Sequence, residues 1–224
     1  MKNEKLNHLA VIMDGNRRWA KKNFFNVVEG HKKGSENIVN IIQSCYDNKI
    51  KYLSLFAFST ENWNRPKLEV NFLMLLLDKT LDTAKEEFLQ NKIRFIHLGR
   101  KDRLSKSIID KISLLEDITK SFNKLTIAIA IDYGGQDEIL TAHAKATQSG
   151  LELEKCMYSS ELPDIDMLIR TGGEKRVSNF MLWKLAYAEI YFTDVLFPDF
   201  DKNQMSIAIE DFHSRKRRDR KSVV

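Results

Sequence analysis

The chain has only two cysteines in 224 residues, Cys45 and Cys156. They are too few and too far apart for a disulfide framework, and neither belongs to a CxxC pair, so a reducing cytoplasm is the expected compartment. No apolar run approaches the roughly 20 residues that a membrane-spanning helix needs. The opening residues, MKNEKLNH, are polar and contain no signal-peptide core. GxxxxGK[ST] is missing, which excludes a P-loop nucleotide site; GxGxxG is missing, which leaves a Rossmann dinucleotide site unsupported. There is no His/Cys cluster for zinc. No repeat, low-complexity segment or linker divides the chain. One domain over residues 1–224 is therefore expected, with 214–224 as a flexible basic tail. The charge excess is small, 36 Lys and Arg against 31 Asp and Glu, a net +5. It weakly favours an anionic partner such as phosphate or an acidic membrane surface. The carboxylates placed among the arginines argue against nucleic acid.

The stretch from His8 to Ala20, HLAVIMDGNRRWA, concentrates what is present. A continuous apolar run followed by turn residues reads as a buried strand. Gly15 and Asn16 suit a sharp turn. The helix expected next starts with Arg17 and Arg18. Asp14 then sits at the carboxyl end of a strand, where open α/β sheets bind ligands. Taken alone, an Asp beside two Arg is a common structural ion pair.

Further along, 52–58, 93–98, 125–131, 166–170 and 191–195 read as strands. Helices are expected at about 35–47 with Ser35 as N-cap, 68–91, 102–122, 136–147, 180–188 and 204–213. Gly30-His31-Lys32-Lys33-Gly34 reads as a basic turn. Alternating strands and helices predict an α/β fold, a central, mostly parallel six-stranded sheet flanked by helices. The polar turns that close four strands would gather Asp14, Arg17, Arg18, Glu61, Asn62, Arg65, Arg170 and Arg176 around one cleft.

Five Arg with a few carboxylates suit a polyanion. Arg grips phosphate oxygens bidentately, each charge-assisted bond contributing on the order of 1.5–3 kcal/mol. Asp14 and Glu189 are candidates for Mg²⁺, which usually binds through one or two carboxylates plus phosphate. The apolar strands and the Phe72–Leu77 run supply much greasy surface. The plain reading is core; the sharper one is a hydrophobic tunnel for a long alkyl chain beside the phosphate cleft.

Together MDGNRRWA, the Gly30-His31 pair, FSTENWNRP, DYGG and IRTGGEKRVSNFMLWKLAYAEIYFTDVLFPDF resemble the cis-prenyltransferases, and most of all the bacterial undecaprenyl diphosphate synthases. The motifs fall in family order across about residues 8–200. The resemblance implies sequential cis-condensation of isopentenyl diphosphate onto farnesyl diphosphate, to give the polyprenyl diphosphate that precedes the lipid carrier of cell-wall synthesis. It implies that Asp14 holds Mg²⁺ and assists departure of the allylic diphosphate, and that Gly15, Asn16, Arg17 and Arg18 bind its phosphates, with Trp19 and His31 also in contact. Ser59, Thr60, Glu61, Asn62, Trp63 and Arg65 would cover the reacting ends. Asn62 is the family's proposed proton acceptor. An amide is a poor base, and orienting a water or phosphate oxygen suits it better. Arg170, Arg176, Val177 and Ser178 would bind isopentenyl diphosphate, and Glu189 would complete the Mg²⁺ site. A homodimer is implied. Contact with the inner face of a membrane through the Arg215–Lys221 run is a lesser expectation, motivated by the greasy product.

Three positions depart from the family pattern. Val27 stands where an Arg is frequent, so that one phosphate contact is missing or comes from Lys22, Lys32 or Lys33. Asp132-Tyr133-Gly134-Gly135-Gln136 replaces NYGGR, and Lys175 replaces a His. Alternatives are a shorter-chain cis-prenyl diphosphate synthase, a non-catalytic partner subunit, and an unrelated phosphate-binding α/β module. The absence of DDxxD disfavours the trans-type enzymes.

Overall fold

A computed structural model describes residues 5–215. Strands β1 (His8–Ile12), β2 (Tyr52–Ser59), β3 (Ile93–Leu98), β4 (Leu125–Tyr133), β5 (Met167–Arg170) and β6 (Glu189–Phe192) form one sheet in the order β3-β4-β2-β1-β5-β6. Every pairing is parallel. The helices are α1 (Asn16–Lys22), α2 (Val27–Asp47), α3 (Lys67–Asn91), α4 (Lys106–Thr119), α5 (Gly135–Ser149) and α6 (Lys202–Ser214).

The sheet is buried on both faces, which explains why β1 reads as a continuous apolar run: all five of its residues are buried. Leu9 and Val11 join Leu53, Leu55 and Ile127 in a core completed by α2, α3, α4 and α6. Ala10 and Ile12 turn to the other face and meet Ala128, Ala130, Leu168, Phe180 and Met181. Period-two alternation thus divides one run between two cores.

Helix boundaries follow local chemistry. The Asn26 side chain accepts from the Glu29 amide at 3.0 Å, so α2 starts eight residues before the expected Ser35. Gly30-His31-Lys32-Lys33-Gly34 is therefore helix and not turn. Its glycines permit close packing on α1. A Cβ at Gly30 would lie 2.2 Å from the Asn16 carbonyl oxygen, and one at Gly34 would lie 2.3 Å from the Asn16 side-chain oxygen. Ser105 caps α4 and Asp201 caps α6 in the same way.

Two other expectations change. Residues 180–188 form successive turns rather than a helix. Phe180 and Met181 are fully buried against the sheet, with Phe180 stacked on Phe56 at 4.4 Å, and positive φ at Ser178, Asn179 and Met181 breaks any helical path into them. Strand β6 is Glu189–Phe192, not 191–195. At the C-terminus, Ser214 belongs to α6, and the Arg215 guanidinium binds Glu189 at 2.8 Å and Asp211 at 2.7 Å. The start of the expected tail is thus part of the fold; residues 216–224 lie outside the described residues.

Candidate active site

Because all strands run parallel, the loops after β1, β2 and β5 leave from one edge of the sheet. A cavity of about 890 Å³ opens there. Its lining includes Asp14, Gly15, Asn16, Arg17, Arg18, His31, Ser59, Glu61, Asn62, Arg65, Arg170, Arg176 and Ser178. Every residue expected to gather around the cleft lines it.

Asp14 lies between two guanidiniums. Oδ1 accepts from Arg18 Nη2 at 3.0 Å, and Oδ2 accepts from Arg170 Nη2 at 2.9 Å. The Arg170 side chain is 5% exposed and also donates to the Arg176 carbonyl at 2.6 Å and to Ser178 Oγ at 2.7 Å. Arg18 reaches the Gly172 carbonyl with its other nitrogen, and the Thr171 hydroxyl donates to the Asp14 carbonyl at 2.7 Å. Strand β5 next to β1 therefore sets the Asp14–Arg170 pair, since Ile12 is in register with Arg170. Gly15 follows at φ +113, a conformation that favours glycine, and α1 begins at once.

The structure adds a second charge cluster. Glu69, in the first turn of α3, lies 3.2 Å from Arg65, 3.5 Å from His31 and 3.9 Å from Arg17. One carboxylate thus ties together three cationic or imidazole groups from three elements. Its spacing four residues after Arg65 is a signal the sequence carries. Burial and the nearby Arg65 charge lower the His31 pKa against the opposing pull of Glu69. Two buried polar atoms here, Asn16 Oδ1 and Arg170 Nε, lack a hydrogen-bond partner. Unsatisfied buried polar atoms are rare, and two at one cavity point to a polar ligand.

The 59–66 loop is ordered by its own chemistry. Asn62 Oδ1 accepts from the Ser59 amide at 3.1 Å, and the Ser59 side chain accepts in return from the Asn62 amide. Glu61 binds the Asn179 side chain at 3.2 Å. Burial would raise the Glu61 pKa, but hydrogen bonds from its own backbone, Ser59, Asn179 and Thr60 lower it. Asn179, also missed in the sequence, accepts the Gln136 amide on its side chain at 2.9 Å and the Gly135 amide on its carbonyl at 2.6 Å.

Several expected residues sit outside the cavity wall. Trp19 donates to Asp199 at 2.7 Å and stacks on Phe25. Trp63 donates to Asp132 at 2.9 Å and packs edge-on against Phe58. Asp132 is fully buried and also binds Arg103, so the departure from NYGGR anchors the loop from below. Thr60 faces Gly134, and Val177 packs into the second core. Lys22, Lys32 and Lys33, the candidates to replace the family Arg at Val27, are not among the residues that line the cavity. Glu189 is opposite Met167, which is opposite Leu9, at the far end of the strands from Asp14. Five residues of strand separate those levels, on the order of 15 Å. Within one chain, Glu189 and Asp14 do not share a site; Glu189 holds Arg215 instead.

Below the charged mouth the lining becomes apolar: Ile38, Leu55, Ala57, Phe58, Leu73, Met74, Leu76, Leu77 and Ile129. A register shift between Phe56 and Ser59 buries Phe58 in the core and leaves Ala57 at the cavity.

The sequence matches the family described as "Putative undecaprenyl diphosphate synthase" over residues 12–220. It is 45% identical to an isoprenyl transferase of Wolinella succinogenes over 95% of this chain and 96% of that one. It is 46% identical to an isoprenyl transferase of Aquifex pyrophilus over 94% of each. The structure superimposes on a lavandulyl diphosphate synthase from Lavandula x intermedia, solved with dimethylallyl diphosphate, with a TM-score of 0.90 and 35% identity, covering 96% of this chain and 98% of that one. A probable undecaprenyl diphosphate synthase from Campylobacter jejuni gives a TM-score of 0.83 and 39% identity over the same shares.

Proposed function

The chain belongs to the undecaprenyl diphosphate synthase family of prenyl transferases, and from that premise we propose that it condenses isopentenyl diphosphate repeatedly onto farnesyl diphosphate, with cis geometry, to a long polyprenyl diphosphate. The observation that carries the reading is the two-part cavity: five arginines and Asp14 at the mouth, alkyl side chains below. A diphosphate head with a hydrocarbon tail matches both parts. The dimethylallyl diphosphate in the lavandulyl diphosphate synthase is an allylic diphosphate bound by a relative of the same fold.

In this reading Arg17 and Arg18 take the allylic diphosphate. Arg170, Arg176 and Ser178 take isopentenyl diphosphate beside it. The Arg170–Asp14 contact holds the two halves of the site together. As the allylic C–O bond breaks, negative charge grows on the leaving diphosphate, where the preorganised guanidiniums stabilise it most. The double bond of isopentenyl diphosphate attacks the allylic carbon, and loss of a proton gives the new double bond. Asn62 is engaged with the Ser59 amide and so orients the proton acceptor, a water or phosphate oxygen, rather than acting as the base.

Among the described residues no group of three His, Cys, Asp or Glu forms a ready-made metal cluster. Asp14, the carboxylate set among the arginines of the mouth, nevertheless fits Mg²⁺, which keeps water and takes phosphate oxygens as ligands. Asp14 would hold it, and when bound it would add charge neutralisation at the leaving diphosphate. The same reading carries a cytoplasmic homodimer. The exposed Trp183 and Tyr187, just before edge strand β6, offer it apolar surface, and sedimentation measures it. Among the described residues no helix is long and apolar enough to cross a membrane.

The decisive assay is incorporation of labelled isopentenyl diphosphate with farnesyl diphosphate and Mg²⁺, with product length read by chromatography. Extension by many units is expected. Absence of incorporation, or an Asp14→Ala variant as active as the wild type, would refute the mechanism.

A further inference from the structure

Phe24 combines two unfavourable features in one position. Its side chain is 98% exposed, and its backbone has φ +60. A bulky L-residue in the left-handed region is uncommon, and glycine would be free of that strain. The hydrogen bonds explain the backbone. Phe25 N donates to the Ala20 carbonyl at 2.8 Å, and Phe24 N donates to Lys21 O at 3.3 Å. This is the Schellman close of a helix, with Phe24 in the place glycine usually takes.

The turn is held on both sides. Phe25 stacks on Trp19 with ring centroids 5.8 Å apart, and Asn26 caps α2 three residues before Glu29. Phe24 is thus presented on a short, hydrogen-bonded connection between the C-terminus of α1 and the capped N-terminus of α2. Around it the charge is mostly positive: residues 21–33 hold Lys21, Lys22, Lys32 and Lys33 against Glu29. Lys21, Lys22 and Lys32 are exposed and form no salt bridge within the described residues, and Lys33 pairs only with its neighbour Glu36. None of the four lines the cavity.

We propose that the Phe24 turn is a membrane-docking element, with Phe24 inserting between the headgroups of an anionic lipid bilayer and Lys21, Lys22 and Lys32 gripping the surface. An exposed aromatic beside cations is the arrangement that seats a peripheral protein at a lipid interface. Full burial of a Phe side chain strengthens partitioning on the order of tenfold to a hundredfold. Each lysine near an anionic surface adds about fivefold. The other end of α1 carries Arg17 and Arg18, so docking puts the cavity mouth about 10 Å along that helix from the lipid. A membrane-bound polyprenyl product, the one point taken from the proposed reaction, would leave into that lipid.

The test is co-sedimentation of the full chain with phosphatidylcholine vesicles, with and without phosphatidylglycerol, at low and high salt. Wild type should bind the anionic vesicles and release in high salt. Phe24→Gly should lower binding at least tenfold while its melting temperature stays equal or rises, since glycine relieves the strained φ. Lys21→Glu with Lys22→Glu should lower binding by at least as much. Incorporation of isopentenyl diphosphate in detergent, with soluble substrates, should be unchanged by Phe24→Gly, which separates failure of docking from failure of the proposed reaction. Equal binding by wild type and Phe24→Gly, or equal binding to neutral and anionic vesicles, would overturn the proposal. So would self-association without vesicles that Phe24→Gly abolishes, since a second copy would then be the occupant.

Discussion

Asp14 and Arg170 are 156 residues apart in sequence and 2.9 Å apart in space, and three hydrogen bonds fix the Arg170 guanidinium in that place. A lysine has one compact ammonium and cannot span Asp14, Ser178 and the Arg176 carbonyl together. Arg170→Lys is therefore expected to lower kcat/KM on the order of tenfold to a hundredfold, the cost of one charge-assisted hydrogen bond or somewhat more. Steady-state kinetics with isopentenyl diphosphate varied reads this directly. Activity within twofold of wild type would show that the fork geometry is not used.

The packing of α2 on α1 gives a second test. Gly30→Ala improves intrinsic helix propensity by about 1 kcal/mol. Its Cβ would nevertheless lie 2.2 Å from the Asn16 carbonyl oxygen, a backbone atom with no rotamer to escape into. The clash should win, with a net loss of about 1–3 kcal/mol in urea unfolding. Because Asn16 starts the helix that carries Arg17 and Arg18, KM for the allylic substrate should rise as well. A stabilised Gly30→Ala variant would contradict the close approach of the two helices.

Such relationships show what was legible in the sequence. Once parallel strands were inferred, the rule that their carboxyl ends share one edge placed Asp14, Glu61, Asn62, Arg65, Arg170 and Arg176 together without any contact information. Glu189 escaped that logic because it opens a strand instead of closing one, and β6 lies two strands from β1. The Gly30–Gly34 segment reads as a turn in the sequence because glycine signals both turns and close packing. Only the partner helix decides between them. The role of Glu69 is hidden in the sequence for a different reason: it comes from Arg17 and His31, which tertiary structure brings to it.

Acid sensitivity follows from two buried imidazoles. His8 faces Ser54 and the Pro163 carbonyl, with Asp166 and Lys184 nearby; His97 faces the Ile131 carbonyl, with Lys101, Glu116 and Asp132 nearby. Burial pushes both pKa values down to about 4, against 6.5 for the ordinary group. The unfolded chain then takes up protons first, so each stabilising contribution is complete above pH ~6.5 and is lost as pH falls towards 4. The loss between pH 7 and pH 5 should be on the order of 1–2 kcal/mol for each histidine. Urea unfolding across that range checks it, with His97→Gln expected to flatten the slope by about one proton. A pH-independent stability from 7 to 5 would show that both rings are open to protonation.

The apolar part of the cavity should control product length. Ile129 pairs with Leu55 in mid-strand, and both side chains line the wall opposite Leu73, Met74 and Leu77 of α3. An added aromatic ring at Ile129 would project into that space and not into close-packed core. Ile129→Phe should therefore cost little in kcat for the first condensation, which the proposed reaction puts at the mouth, and should stop elongation early. The expected chromatogram shifts by at least one five-carbon unit towards shorter chains. Leu77→Ala, which widens the same space, should shift it the other way at a stability cost of about 2 kcal/mol or less for a partly buried leucine. An unchanged product distribution in both variants would mean that the growing chain takes another route out of the charged mouth.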